Sequence, residues 1–255
     1  LLPYLFFICL FGWVGLSAEF AIGRRAGTGT LGSYAYCFAK RKMEGFGRTL
    51  GWIPLMGSLG IAIGYAIIIG WVLRTLWGCL TGELMTADPG TYFGAALGEF
   101  GSVVWHTIII ASTCLILLLG IGGGIEKANK IMMPIFFCLF VGLAIWVSFL
   151  PSSSAGYEFL FIPQWVKLMN INTWIMAMGQ AFFSLSITGS GMIVYGAYLD
   201  KDVDIPKASL RTAFFDTCAA MVAALAIMPA VFAYGIGAGR GPALVFLALP
   251  KVFQQ

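Results

Sequence analysis

Six stretches of this chain are apolar for longer than the core of a water-soluble fold requires. They cover approximately residues 1–22, 51–78, 103–121, 131–150, 172–199 and 209–236, and about 20 such residues cross the hydrocarbon core of a bilayer. Backbone groups left unpaired in lipid are costly, so crossings of this kind are helices or closed barrels. Composition agrees: 60% of residues are hydrophobic and 10% charged, against roughly 25% charged in soluble domains. The expectation is an all-α membrane protein, one transmembrane domain over 1–255 with six transmembrane helices, and an extracellular loop beginning at 237–255.

Basic residues collect on the cytoplasmic side of membrane proteins. Arg24, Arg25, Lys40, Arg41, Lys42, Arg48, Lys127, Lys130, Lys201, Lys207 and Arg211 lie in alternate loops, and Arg74, Lys167, Arg240 and Lys251 in the opposite ones. Residue 1 is therefore expected on the extracellular side of the cell (inner) membrane. The net charge of +4 is a topology signal and gives no reason to expect nucleic acid as a partner. An outside start is unusual for a chain opening on LLPYLFFICLFGW, without Met, basic region or cleavage site. The closing GIGAGRGPALVFLALPKVFQQ is too short and too broken for a seventh span, so the sequence reads as cut at both ends.

Little points to an enzyme. The six cysteines lack metal-ligand or framework spacing, and His106, the single histidine, sits at a span edge beside Trp105. The glycines of GIGGGIEKANK (120–130) read as a tight turn between helices. In the first long loop, Tyr34, Tyr36 and Phe38 stand beside Lys40–Lys42, a pattern for a short amphipathic helix at headgroup level or for a plain basic anchor. Gly57, Gly60, Gly64 and Gly70 suit close helix packing. Tyr65 places a hydroxyl inside an apolar helix and has to find a partner there or a ligand.

The stretch FFSLSITGSGMIVYGAYLDKD (182–202) is the anomaly. Ser186, Thr188, Gly189, Ser190 and Gly191 sit in the middle of a span; glycine costs a helix interior about 1 kcal/mol relative to Ala, and hydroxyls compete for backbone groups. Local unwinding is expected, and at membrane depth it is tolerated only where protein buries it or a cavity meets it. Freed carbonyls then suit a cation and the half-helix starting near Gly191 suits an anionic group. The alternative is a small-residue packing face without unwinding. Asp216 lies in another span, RTAFFDTCAAMVAALAIMPAVF, where a carboxylate needs compensation. A bound sodium would supply it, as would proximity to water or Arg211. Glu19, near the inner end of the first span, is accounted for by Arg24 and Arg25.

These residues resemble the neurotransmitter:sodium symporter family, in particular its bacterial amino-acid transporters of the leucine-transporter type. LLPYLFFICLFGWVGLSAEFAIGR is similar to the family's second helix, WIPLMGSLGIAIGYAIIIGW to the third, GIEKANKIMMP to the start of the fifth, GQAFFSLSITGSGMIVYGAYLDKD to the discontinuous sixth, and the Asp216 segment to the seventh. GPALVFLALPKVF resembles the loop before the eighth. The resemblance implies a portion of an inverted-repeat transporter, helices two to seven.

It also implies roles. Tyr65 matches a tyrosine that contacts the substrate carboxylate, Ile61 a position lining the side-chain pocket, and Phe183 the aromatic lid. Ser184 matches a sodium ligand, while Ser186, Thr188 and Gly189 fall on the unwound segment around the substrate. Tyr198 matches a tyrosine of the cytoplasmic gate. Tyr4, Gln180 and Ser184 match positions that surround chloride in animal relatives, with Asp216 near the rest of that constellation and near sodium. A fixed carboxylate there would replace the anion, so the implied co-transported ion is Na+ with no chloride requirement.

The sequence departs from the pattern at Gly189, where the leucine transporter has a large aromatic residue. That leaves a roomier pocket and points to a hydrophobic or aromatic amino acid. The family's first and eighth helices, which complete the amino-group contacts and the sodium sites, have no counterpart here. The implied partners are a small-molecule amino acid, sodium and the lipid bilayer; no oligomeric state is implied. Two rival readings are an amino-acid-binding membrane sensor that transports nothing and an inactive truncated transporter.

Overall fold

The computed structural model describes residues 1–98, 100–235 and 243–254, and the described residues form helices and turns without strands. In chain order the helices are α1 (Leu2–Trp13), α2 (Gly15–Ala26), α3 (Thr30–Ala39), α4 (Glu44–Leu50) and α5 (Trp52–Leu80); then α6 (Glu83–Thr86), α7 (Pro89–Ala96), α8 (Val103–Leu118), α9 (Glu126–Ser148) and α10 (Ser153–Phe161). They continue with α11 (Trp165–Leu168), α12 (Ile171–Ser184), α13 (Gly191–Tyr198), α14 (Ile205–Ala233) and α15 (Ala243–Phe253). Among the described residues, four helical stretches are long and apolar enough to cross a membrane: Leu2–Ala26, Glu44–Leu80, Gly122–Ser148 and Ile205–Ala233. Val103–Leu118 is apolar but shorter.

The chain forms two compact units, residues 1–62 with 163–219, and 63–162 with 220–255. In the first unit the core joins Ile8 and Leu16 of the opening helices to Ala181, Leu185, Ile187 and Ala213, with Tyr4, Phe7, Phe11, Phe182 and Met192 packed around them. Phe11 stacks on Phe182 with ring centroids 4.3 Å apart. Helices α2 and α13 pack backbone to backbone, and two glycines permit it. A Cβ on Gly23 would stand 2.0 Å from the Ile193 carbonyl oxygen, and one on Gly196 would stand 2.6 Å from that of Phe20. Such small-residue contact lets backbones touch where lipid supplies no hydrophobic drive for association.

The loop between the first two crossings folds as a helical hairpin, α3 against α4, with Phe38 and Phe46 edge-to-face at 5.6 Å. Gly47 is buried at the crossing, where a Cβ would meet the Tyr34 carbonyl oxygen at 2.7 Å.

In the second unit, Val147, Ala230 and Val252 form a small core. Asp88 caps α7 by accepting from the Thr91 amide at 3.0 Å, with Pro89 in the first turn, as expected of a residue that satisfies an orphan N–H. Arg74 donates to the carbonyls of Ala95 (3.0 Å) and Gly101 and lies over the Tyr92 ring.

The glycine run differs from its sequence reading. Only Gly120 takes a left-handed backbone (φ 76°); Ile121–Ile125 already forms a π-helical turn that runs into α9. The reversal is thus confined to the end of α8, because one left-handed residue suffices to stop a helix. Part of the loop expected from residue 237 lies outside the described residues, and from Ala243 to Phe253 the chain is helical.

Candidate functional site

The apolar run around residue 187 is broken in the structure. α12 ends at Ser184 and α13 starts at Gly191, with turns between them. Ser186, Thr188 and Ser190 take left-handed backbones (φ 53°, 66° and 62°), each costing an L-residue roughly 1–2 kcal/mol. Alternation holds the strained segment. Leu185, Ile187 and Ser190 are buried, while Ser186 and Thr188 are exposed, so side chains anchored in the core separate residues that turn outward.

Two side chains from other helices complete the clamp. The Thr188 amide donates to Glu19 Oε1 of α2 at 2.6 Å, and Ser58 Oγ of α5 donates to the Gly189 carbonyl. The Ile187 amide reaches back to the Phe182 carbonyl at 3.1 Å and the Ser186 amide to Phe183 at 3.2 Å. The carbonyls of Ser184, Leu185 and Ser186 accept none of the described backbone or side-chain hydrogen bonds outside helices. Oxygens freed in this way are hard donors suited to alkali cations, the use made of unwound carbonyls in transporters.

At the start of the break, three elements meet in a short relay. Tyr4 Oη of α1 donates to Ser184 Oγ at 3.3 Å, and Ser184 Oγ donates to Asp216 Oδ2 of α14 at 2.5 Å. Asp216 is half-buried, and its described hydrogen bond goes to Ser184; none of the described ion pairs joins it to Arg211. The segment is therefore flanked by two carboxylates, one through the Thr188 amide and the other through the Ser184 hydroxyl, an arrangement that favours a cation.

The remaining sequence candidates fall as follows. Gln180 is exposed and outside the relay. Phe183 is half exposed at the end of α12, and Tyr198 is exposed at the end of α13. Ile61 is exposed on α5 within the first unit; Tyr65, one turn along the same helix, belongs to the second unit. At the C-terminal end of α2, Arg24 donates to the carbonyls of Val203 (2.6 Å) and Asp200 (3.3 Å), tying that end to the chain just after α13.

Glu19 requires a correction. Its negative charge is not answered by Arg24 or Arg25: Arg24 holds the 200–203 turn and Arg25 Nε donates to Tyr36 Oη at 3.2 Å. The reason is helical geometry, since residues three or four apart face one another and residues five or six apart do not. Glu19 instead faces the break at Thr188, and it is a residue of this site that sequence reasoning set aside. The available signal was a carboxylate within an apolar helix, the same signal that singled out Asp216.

Outside the spans, Asp204 precedes α14. Its carboxylate accepts from the Lys207 amide at 3.2 Å and pairs with Lys207 Nζ at 3.3 Å; the amide bond first, then the ammonium, hold it below the usual aspartate range.

A family model described as the sodium:neurotransmitter symporter family matches residues 90–255. The uncharacterized sodium-dependent transporter YhdH of Bacillus subtilis is 32% identical over 259 residues, covering 100% of this chain and 56% of that protein. The mouse sodium-dependent neutral amino acid transporter B(0)AT1 is 26% identical, over 78% of this chain and 35% of its own. Among solved structures, MhsT in complex with L-phenylalanine superposes with a TM-score of 0.90 at 36% identity, covering 99% of this chain and 57% of that one. The chain spans about half the length of the curated bacterial relatives it matches.

Proposed function

The chain belongs to the sodium:neurotransmitter symporter family, and from that premise we propose that it is the central part of a transporter that moves an amino acid and sodium together by alternating access. As a member of that family with four membrane-length apolar helices, it is a multi-pass membrane protein. The observation that carries the proposal is the interrupted helix, whose carbonyls at 184–186 accept none of the described hydrogen bonds outside helices and whose flanking carboxylates supply charge for a cation.

In this reading Ser184 and Asp216 take part in holding sodium. Ser184 Oγ already donates its hydrogen bond to Asp216, so its lone pairs face whatever replaces or joins Tyr4. Ser186, Thr188 and Gly189 lie around the substrate with Phe183 as its lid, and Ile61 contributes from α5. The amino end of α13 faces the substrate carboxylate, because a helix start carries partial positive charge. Tyr198 belongs to the cytoplasmic gate. The chemistry is binding and conformational change, with no covalent step.

A hydrophobic or aromatic amino acid is the proposed substrate, supported by the side-chain space left at Gly189 and by the L-phenylalanine bound to MhsT. Asp216, held against Ser184 and near Tyr4, supplies a fixed negative charge, so transport requires no chloride. In this reading residue 1 lies outside the cell, supported by the positive-inside distribution of Lys and Arg.

Proteoliposomes of the transporter containing this chain test the reading. An inward sodium gradient should drive accumulation of labelled L-phenylalanine, and replacing chloride by gluconate should leave it unchanged. Binding without gradient-driven accumulation would instead identify a sensor.

A further inference from the structure

We propose that the α3–α4 hairpin is a docking surface for anionic phospholipid headgroups. Its place in the chain dictates its depth. Only Gly27, Thr28 and Gly29 separate α2 from α3, and three residues reach at most about 10 Å. On the other side α4 passes through Gly51 directly into the apolar α5, within one continuous candidate crossing from Glu44 to Leu80. Headgroup layers extend roughly 5–8 Å beyond each side of the hydrocarbon core, so a hairpin tethered this closely at both ends lies at their level.

The side chains it presents fit that layer. Lys40, Arg41 and Lys42 form the tip, where Lys42 takes a left-handed backbone (φ 57°) and turns the chain back; Arg25 and Arg48 lie on the adjoining helices. All five are exposed. The described ion pairs of the chain are Lys130–Glu126 and Lys207–Asp204, so none of these five cations is neutralised by a carboxylate. Glu44 is the single acid between residues 24 and 51.

A merely solvated basic loop would be polar throughout. This one also exposes Met43 (45%) and Phe46 (52%) beside the cations, the combination of apolar insertion and positive charge that interfacial elements use. The hairpin is also a formed surface: Phe38 packs on Phe46 and Gly47 on the Tyr34 carbonyl, so the cations are displayed from a fixed frame. Phosphate oxygens are the complementary ligand, and a Lys or Arg near an anionic leaflet gains about 1 kcal/mol, roughly fivefold in association. The inference depends on insertion in a membrane and is independent of what the protein transports.

The test places a fluorescent unnatural amino acid at position 43 in the transporter containing this chain, reconstituted in phosphatidylcholine–phosphatidylglycerol vesicles. Quenching by headgroup-proximal brominated phosphatidylglycerol is compared with quenching by brominated phosphatidylcholine. Phosphatidylglycerol is expected to quench at least fivefold more effectively per mole fraction, the preference shrinking between 0.1 and 0.5 M salt. The quadruple variant K40Q/R41Q/K42Q/R48Q should make the two lipids equal, whereas K127Q/K201Q should keep the preference. Equal quenching in the parent, no quenching by either lipid, or a preference that survives the quadruple variant or is equally lost in K127Q/K201Q would overturn the proposal. The salt titration needs no charge substitution, so a folding defect in a variant cannot mask the answer.

Discussion

Replacing Glu19 by Ala removes the acceptor of the Thr188 amide, the bond that reaches from α2 into the unwound segment at 2.6 Å. Hydrogen bonds to charged groups contribute about 1.5–3 kcal/mol. Glu19 is partly buried, and Thr188 is exposed enough for water to replace the lost partner, so the lower end, about 1.5 kcal/mol, applies. Because Thr188 holds a left-handed backbone that costs roughly 1–2 kcal/mol, losing this bond leaves its conformation close to balance with alternatives. Hydrogen exchange of the peptide containing residues 185–190 reads the effect: Glu19→Ala should speed Thr188 exchange about tenfold, and Glu19→Gln, a neutral acceptor of similar shape, by severalfold less. Unchanged exchange in Glu19→Ala, with the peptide still protected, would refute the claim that Glu19 clamps the break.

Ser184→Ala breaks the Tyr4–Ser184–Asp216 relay and leaves a half-buried carboxylate short of a donor, a cost of about 1–3 kcal/mol; half-saturation by sodium in an uptake assay should rise about tenfold, and an unchanged sodium curve would contradict the assignment. Tyr4→Phe, losing the longer bond, should do less in the same assay. Gly23→Ala inserts a methyl 2.0 Å from the Ile193 carbonyl oxygen and should destabilise the α2–α13 pair by about 1–3 kcal/mol, seen as a lower melting temperature in detergent; Ala at Gly57, where no neighbour stands within 4 Å, should not. Asp204, held below its ordinary range, stabilises the start of α14 above the unfolded aspartate pKa of about 3.9, and that contribution is lost as pH falls through the lower folded value. Protection of the amides at residues 205–208, taken relative to their intrinsic exchange rates at each pH, should therefore fall below pH 4 in the parent and be low already at pH 7 in Asp204→Ala.

The fold class and the break were legible because both rest on local chemistry. Length and apolarity dictate crossings, and Ser186, Thr188, Gly189, Ser190 and Gly191 weaken a helix wherever they stand. Asp216 was legible as a charge needing an explanation. Its partner Ser184 was identified through family resemblance, because 32 residues separate the two and spacing carries no sign of their contact. Glu19 was misassigned because two arginines nearby in sequence offered a ready partner on the wrong face of the helix. The pairing of Gly23 with Ile193 and of Gly196 with Phe20 is a property of two backbones brought together, and the glycines alone do not say which neighbour they admit. The same holds for Ser58, whose hydroxyl finds the Gly189 carbonyl only after α5 and the break are placed side by side.

Equilibrium binding of radioactive sodium to the purified transporter, with and without L-phenylalanine, tests most directly whether the opened main chain and its acids form an ion site. Saturable binding that L-phenylalanine strengthens, and that both Ser184→Ala and Asp216→Ala weaken by tenfold or more, is the predicted result. Sodium binding of equal strength in the parent and in both variants would show that the ion is held elsewhere.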